Sequence, residues 1–305
     1  MKITVASGKG GTGKTMVATS LARSLAAAGS DMPPLFLDCD VEAPNAHLFL
    51  TPRFTEQQEV GLLIPAVDKA KCTHCGKCAE VCQYHAIAVL GQKTLVFPQL
   101  CHGCGSCTAM CPEGAISEVL DRMGTIERGQ AVQGIDFARG VLDIGEPMAV
   151  PVIRQLKKWA NARPGQVEIR DAPPGTSCPV VETVRGSDVL LLVTEPTPFG
   201  LHDLRLAAQV AAELGVPAGV IINRENGSYP DMDKFCAEQN LPVLLCIPFE
   251  REIAEGVAQG KTLVDIHPGY CDRFRHMFEE INSLCNPKPQ VDHAQPASPV
   301  SLSME

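Results

Sequence analysis

The chain has 305 residues, 45% of them hydrophobic and 20% charged, with a formal net charge of −9. That is enough for one large α/β domain and a small appended or inserted one. The acidic balance works against a sequence-independent grip on nucleic acid or anionic lipid, so neither a nucleic-acid nor a membrane partner is expected. No apolar run approaches the roughly 20 residues of a membrane span, and the opening KITVAS reads as a strand, not an export signal; a cytoplasmic location is expected.

Residues 2–6 are apolar and β-rich, glycines follow, and Val17, Leu21 and Leu25 recur at helical spacing over residues 16–28, which predicts a strand, a loop and a helix. Residues 35–37 form a short apolar strand running into Asp38, Cys39 and Asp40. Two strand ends thus deliver polar groups to one edge of a sheet, where ligands bind in open α/β folds.

The α/β rhythm then stops. Cysteines at 72, 75, 78 and 82 recur at 101, 104, 107 and 111, a constant shift of 29, so two copies of one metal-binding unit are expected. A hairpin is expected around residues 119–146. The rhythm returns with a helix over 151–159, strands over 167–169, 189–193, 219–222 and 243–247, a helix over 204–214 and a closing helix over 270–285. The fold class expected is α/β: a mostly parallel sheet interrupted by an α+β insert. The domains expected are a first part of the nucleotide domain at 1–62, the insert at 63–118, the second part at 119–285, and a disordered tail at 286–305, rich in Pro, Ser and Ala.

Gly8 to Thr15 satisfy G-x-x-x-x-G-K-T between a strand and a helix, the setting in which backbone N–H groups and a helix N-terminus cradle phosphates. Lys14 would reach the β and γ phosphates of ATP, and Thr15 would offer its hydroxyl to Mg²⁺.

With its extra lysine at Lys9, the segment KGGTGKT resembles the deviant Walker A loop of the MinD/ParA/Mrp and nitrogenase iron protein class of P-loop ATPases. The resemblance implies ATP-dependent dimerisation, as a homodimer or with a paralogue, in which Lys9 crosses to the partner's nucleotide. Gly8, Gly10, Gly11, Thr12 and Gly13 would form the phosphate cradle. In LDCDVEAPN, Asp40 matches the switch carboxylate that positions the attacking water, and Asp38 lies at the strand end near Mg²⁺. In IRDAPPGTSCP, Asp171 matches the Walker B aspartate and Gly175 the hinge that follows the γ phosphate. Asn223 and Arg224 resemble the pair that contacts adenine, with Pro248 and Phe249 at the other base-contact position. TEPTPFGLHDL and DAPPGTSCPV look most like the MinD-superfamily ATPases that carry an inserted ferredoxin domain.

Each cysteine half reads C-x₂-C-x₂-C-x₃-C, and the second continues into Pro112, the pattern of bacterial two-cluster ferredoxins, whose fourth cysteine ligates the other cluster. One 4Fe-4S cluster is therefore expected on Cys72, Cys75, Cys78 and Cys111, and a second on Cys101, Cys104, Cys107 and Cys82. The alternatives are two structural zinc sites or disulfides. Gln83 replaces proline after Cys82, a departure that bears on the second cluster. His74 and His102 lie inside the cysteine loops and are expected to face solvent. The remaining cysteines are expected to be mostly buried small hydrophobes; Cys178 stands where a nitrogenase iron protein carries one bridging-cluster ligand, but no counterpart for a second such ligand is visible, and a packing or switch role is expected for it over an intersubunit metal site.

Joined in one chain, the two modules suggest an ATPase whose nucleotide state controls electron transfer or metallocluster assembly on a client protein. The alternative is a positioning ATPase like ParA or MinD with the clusters as a sensor. An amidotransferase-type biosynthetic ATPase ranks last, since no substrate domain or glutaminase is visible.

Overall fold

The computed structural model describes residues 1–27, 32–227 and 229–285; Ala28 and the expected tail over 286–305 lie outside the described residues. Among the described residues eleven strands run in chain order: β1 Lys2–Ala6, β2 Leu35–Asp38, β3 Arg53–Val67, β4 Ile87–Leu90, β5 Lys93–Val96, β6 Ile116–Gln130, β7 Asp136–Leu142, β8 Glu168–Asp171, β9 Val189–Thr194, β10 Ala218–Glu225 and β11 Val243–Pro248. The helices are α1 Lys14–Ala27, α2 His47–Leu50, α3 Lys77–Glu80, α4 Ser106–Ala109, α5 Val150–Ala160, α6 Cys178–Val184, α7 Pro198–Leu214, α8 Pro230–Glu238, α9 Arg251–Ala258, α10 Leu263–Ile266 and α11 Tyr270–Cys285.

Nine strands form one sheet in the order β11-β10-β9-β1-β8-β2-β7-β6-β3. The pairings from β11 to β7 are parallel, whereas β6 runs antiparallel to both β7 and β3. The mostly parallel α/β sheet agrees with the sequence reading. Its central strands β1, β2, β8 and β9 are buried on both faces, and the alternation of side chains sorts them. Ile3, Val5, Val189, Leu191 and Val193 pack with α1 and α11, while Ala6, Leu190, Leu192, Val220 and Ile222 pack under α6, α7 and α8. A third cluster seats Val152, Ile153 and Leu156 of α5 against Leu35, Leu37, Ile126 and Ala138. Each fully buried Leu, Ile or Phe contributes about 1.5–3 kcal/mol. The stripe of Phe274, Met277 and Ile281 on α11 is core, as its spacing predicts.

The sheet does not stop where the cysteine segment begins. Strands β3 and β6 are each 15 residues long and stay paired from Arg53↔Gln130 to Val67↔Ile116, running through positions 63 and 118. The cysteine unit therefore sits at the far end of a two-stranded ribbon that grows out of the nucleotide sheet. Beyond the ribbon, β4 and β5 form a small antiparallel sheet, and α3 and α4 are single turns, each entered through a left-handed glycine, Gly76 (φ 83°) and Gly105 (φ 72°). Among the described residues no helix is long and apolar enough to cross a membrane.

Candidate functional site

The C-terminal ends of β1, β2, β8, β10 and β11 converge on a cleft of about 310 Å³. Between β1 and α1 the chain makes a tight loop in which Gly11 (φ 78°) and Gly13 (φ 95°) take left-handed conformations that only glycine adopts freely. Gly13 is also constrained by space, since a Cβ there would collide with Asn223 Nδ2. Asn223, at the end of β10, donates from that nitrogen to Thr12 O at 2.7 Å and so clamps the loop. Gly8 is pressed against α7, where a Cβ would stand 2.5 Å from Asp203 O. Lys14 opens α1 with 7% of its surface exposed.

Carboxylates gather beneath the loop. Thr15 Oγ1 donates to Asp171 Oδ2 at 2.5 Å, while Asp171 Oδ1 and Thr12 Oγ1 are buried with no hydrogen-bond partner. An orphaned carboxylate oxygen and hydroxyl beside a phosphate-type loop suit a bound Mg²⁺ and nucleotide, which would satisfy them. Burial raises the Asp171 carboxyl to about 6, against the lowering effects of Lys14 and the Thr15 hydrogen bond. Asp38 lies opposite Asp171 in the β2–β8 register and is pushed well above the usual carboxylate range by burial and then by Asp171. Both of its oxygens are used inside the chain, accepting from Ala46 N at 2.9 Å and Asp40 N at 3.3 Å. Asp38 thereby shapes the loop that carries Asp40. Asp40 itself lines the cleft beside Lys14; burial raises its carboxyl, and Lys14 opposes that shift.

At the other end of the cleft Asn223, Arg224, Pro248 and Phe249 form a partly apolar wall, joined by Phe49, Ile253 and Val257. Arg224 has a left-handed backbone (φ 58°), and its guanidinium is held by Glu195 at 2.5 Å. The same carboxylate takes Lys9 Nζ at 3.3 Å on its other oxygen. Gly175 (φ 95°) donates its N–H to Ser7 O at 3.0 Å, tying the loop after β8 to β1.

The cysteine unit holds two cavities. Cys72, Cys75, Cys78 and Cys111 line one, and Cys82, Cys101, Cys104 and Cys107 line the other, so the last cysteine of each half reaches across to the opposite set. Backbone N–H groups of Ala115, Ala86 and Gly103 donate to the sulfurs of Cys111, Cys82 and Cys101 at 3.3, 3.3 and 3.5 Å. All eight are free thiols, and the four of each set border a common space. Among the described residues no group of three or more His, Cys, Asp or Glu side chains is gathered so as to hold a metal ion. His74 is half-buried, with Nδ1 3.6 Å from Cys72 Sγ and 3.2 Å from Thr94 Oγ1, whereas His102 is exposed, as expected, and stacks on Tyr84 with centroids 3.8 Å apart.

A sequence model of the CobQ/CobB/MinD/ParA nucleotide binding domain matches residues 3–264. The chain belongs to this family. An uncharacterised protein of Methanocaldococcus jannaschii is 29% identical over 287 residues, covering 93% of this chain and 97% of the relative. An iron-sulfur cluster carrier protein of Synechocystis is 26% identical, covering 87% of this chain and 65% of its own length. Among solved structures, the septum site-determining protein MinD of Pyrococcus horikoshii, complexed with Mg-ADP, has a TM-score of 0.55 at 20% identity and covers 93% of this chain and 97% of its own; this likeness shows the fold.

Of the residues singled out in the sequence, Gly10, Gly11, Gly13, Lys14, Thr15, Asp40, Asn223, Arg224, Pro248 and Phe249 line the family's cleft together. Gly8, Lys9, Thr12, Asp38, Asp171 and Gly175 stand behind or beside that lining. Sequence reasoning missed Glu195, Phe49 and the α9 residues Ile253 and Val257. Glu195 carried a legible signal, because it directly follows an apolar strand, as Asp38 follows Leu37. The α9 residues carried none, since their role depends on how that helix folds back over the cleft. Cys178 opens α6 and is exposed, whereas Cys39 and Cys236 are buried and Cys246, Cys271 and Cys285 partly so.

Proposed function

We propose that this protein binds Mg-ATP in the cleft, hydrolyses it as a dimer, and uses that cycle to control electron transfer or metallocluster assembly on a client protein through two 4Fe-4S clusters in the cysteine unit. The observation that carries the reading is the partition of eight cysteines into two four-thiol cavities with the fourth ligand exchanged between halves. A group with its irons at separate corners suits four thiols that border a shared space. The two short turns and the small β4–β5 sheet are compatible with a ferredoxin-like unit. Such clusters, when bound, supply one-electron chemistry at low potential.

In the cleft, Lys14 neutralises the β and γ phosphates and Thr15 is oriented by Asp171 for Mg²⁺. Asp40 holds the attacking water, and Lys9 leaves Glu195 to reach the partner's nucleotide. Asn223, Arg224, Pro248 and Phe249 frame the base. Coupling to the cysteine unit has a short route. Val41 O, next to Asp40, accepts from Leu142 N at 2.8 Å, and α5 grips the ribbon through Gln155 Nε2 to Gly61 O at 2.8 Å. A shift of the Asp40 loop is thereby passed to β3 and β7.

Purification without oxygen should yield about eight irons and eight acid-labile sulfides per chain, with an EPR signal that changes between ATP and ADP. Zinc without sulfide would end the cluster reading, and nucleotide-independent spectra would end the coupling. Foci or oscillation of a tagged copy in cells would instead favour the positioning alternative.

A further inference from the structure

The two cysteine cavities are matched in most respects that set a cluster's potential. Each has one exposed cysteine, Cys75 in the first and Cys104 in the second. Each has three polar contacts to sulfur. In the first these are Ala115 N to Cys111, and Thr94 Oγ1 and His74 Nδ1 to Cys72; in the second they are Ala86 N to Cys82, Gly103 N to Cys101, and the Cys104–Ser106 contact. Neither the number of these contacts nor the number of exposed cysteines separates them.

Charge does. Lys77 and Glu113, one of each sign, line the first cavity. The second is lined by Glu118 alone among acidic and basic residues other than histidine. Glu118 stands over the Cys104 loop, close enough that a Cβ on Gly105 would be 3.0 Å from its Oε1. Among the described residues no lysine or arginine pairs with Glu118 within 4.0 Å, and it is exposed on the outer part of β6. An unpaired carboxylate beside a redox group opposes the arrival of an electron, because it repels the more negative reduced form.

We propose that Glu118 makes the site of Cys82, Cys101, Cys104 and Cys107 the harder of the two to reduce, so that an electron arriving there passes on to the site of Cys72, Cys75, Cys78 and Cys111. This rests on the cluster reading above. No bond is made or broken in the step. One electron comes from a low-potential one-electron carrier protein, leaves the Glu118 side oxidised again, and leaves the Lys77 side reduced. Direction is thus given by side-chain charge, within a unit whose two halves are otherwise near-repeats.

The test is a redox titration of the full chain without oxygen, followed by EPR, after iron and sulfide have been counted. Wild type should show two midpoints. Glu118→Gln should raise the lower midpoint, leave the upper in place and narrow the gap. Lys77→Gln should lower the upper midpoint, and Glu113→Gln should raise it and widen the gap. All three positions are exposed, and unchanged iron content certifies that each variant is folded. A single midpoint in wild type, or a Glu118→Gln shift in the upper midpoint or in neither, overturns the proposal while the cluster reading stands. Absence of sulfide in the counts overturns both.

Discussion

Lys9 Nζ stands 3.3 Å from Glu195 Oε2 within one chain, and the other oxygen of Glu195 holds Arg224 at 2.5 Å. One carboxylate therefore engages both the extra lysine of the phosphate loop and a residue of the base-side wall. Lys9 is partly exposed, and such pairs are worth about 0–1 kcal/mol, so the contact is weak enough to be exchanged for phosphate. Lys9→Ala should leave nucleotide affinity within a few-fold of wild type and slow hydrolysis by about tenfold or more. Calorimetric binding and phosphate release measured on the same sample check this, and equal loss of both would contradict it.

Lys14 and Asp40 both line the cleft and should separate binding from chemistry. Lys14→Ala removes a nearly buried cation and should weaken ATP binding by about tenfold or more. Asp40→Ala should bind ATP nearly as wild type does and hydrolyse it far more slowly. Equal ATPase rates for wild type and Asp40→Ala would overturn the role given to Asp40.

Asp171 gives the nucleotide-free protein a distinctive pH dependence. Folded, its carboxyl holds a proton up to about pH 6, whereas the ordinary value is 3.8. The native state thus binds more protons across that window, so this contribution to stability is full below 3.8 and is lost as pH rises through 6. Asp171→Asn should raise the melting temperature of the metal-free, nucleotide-free chain at pH 7. It should flatten the fall in stability between about pH 4 and 6 and abolish the further stabilisation by Mg-ATP. Thermal melts across that range, with and without Mg-ATP, decide it.

Gly13 is required twice, for its positive φ and for the space taken by Asn223. Gly13→Ala should therefore displace the Asn223 side chain from Thr12 O, destabilise the fold by about 1–3 kcal/mol and abolish tight nucleotide binding. An unchanged melting temperature with retained affinity would show that the loop relaxes freely.

The crossed cysteine sets make a further check possible. Cys82→Ser should impair the site shared with Cys101, Cys104 and Cys107, and Cys111→Ser the site shared with Cys72, Cys75 and Cys78. Each should lose about half of the iron, with the surviving EPR signal differing between the two variants. Loss of the same signal in both would refute the crossing.

The amino-acid sequence determined the elements of this protein that depend on local pattern. The phosphate loop follows from glycines between an apolar strand and an amphipathic helix, the mostly parallel sheet from alternating strand and helix periods, and the two cysteine sets from a repeat with a fixed shift. These are short-range signals, carried by neighbouring residues. Tertiary structure alone decided the rest. It made β3 and β6 a single 15-residue ribbon continuous with the nucleotide sheet, although their charged, irregular outer faces give little strand signal. It turned both oxygens of Asp38 inward to Ala46 and Asp40, and it brought Glu195 to Lys9 and Arg224 and Glu118 to the Cys104 loop. The Glu195 contacts join residues far apart in the chain, and the energies of all of these contacts depend on burial and distance, quantities that exist only once the sheet has ordered its strands.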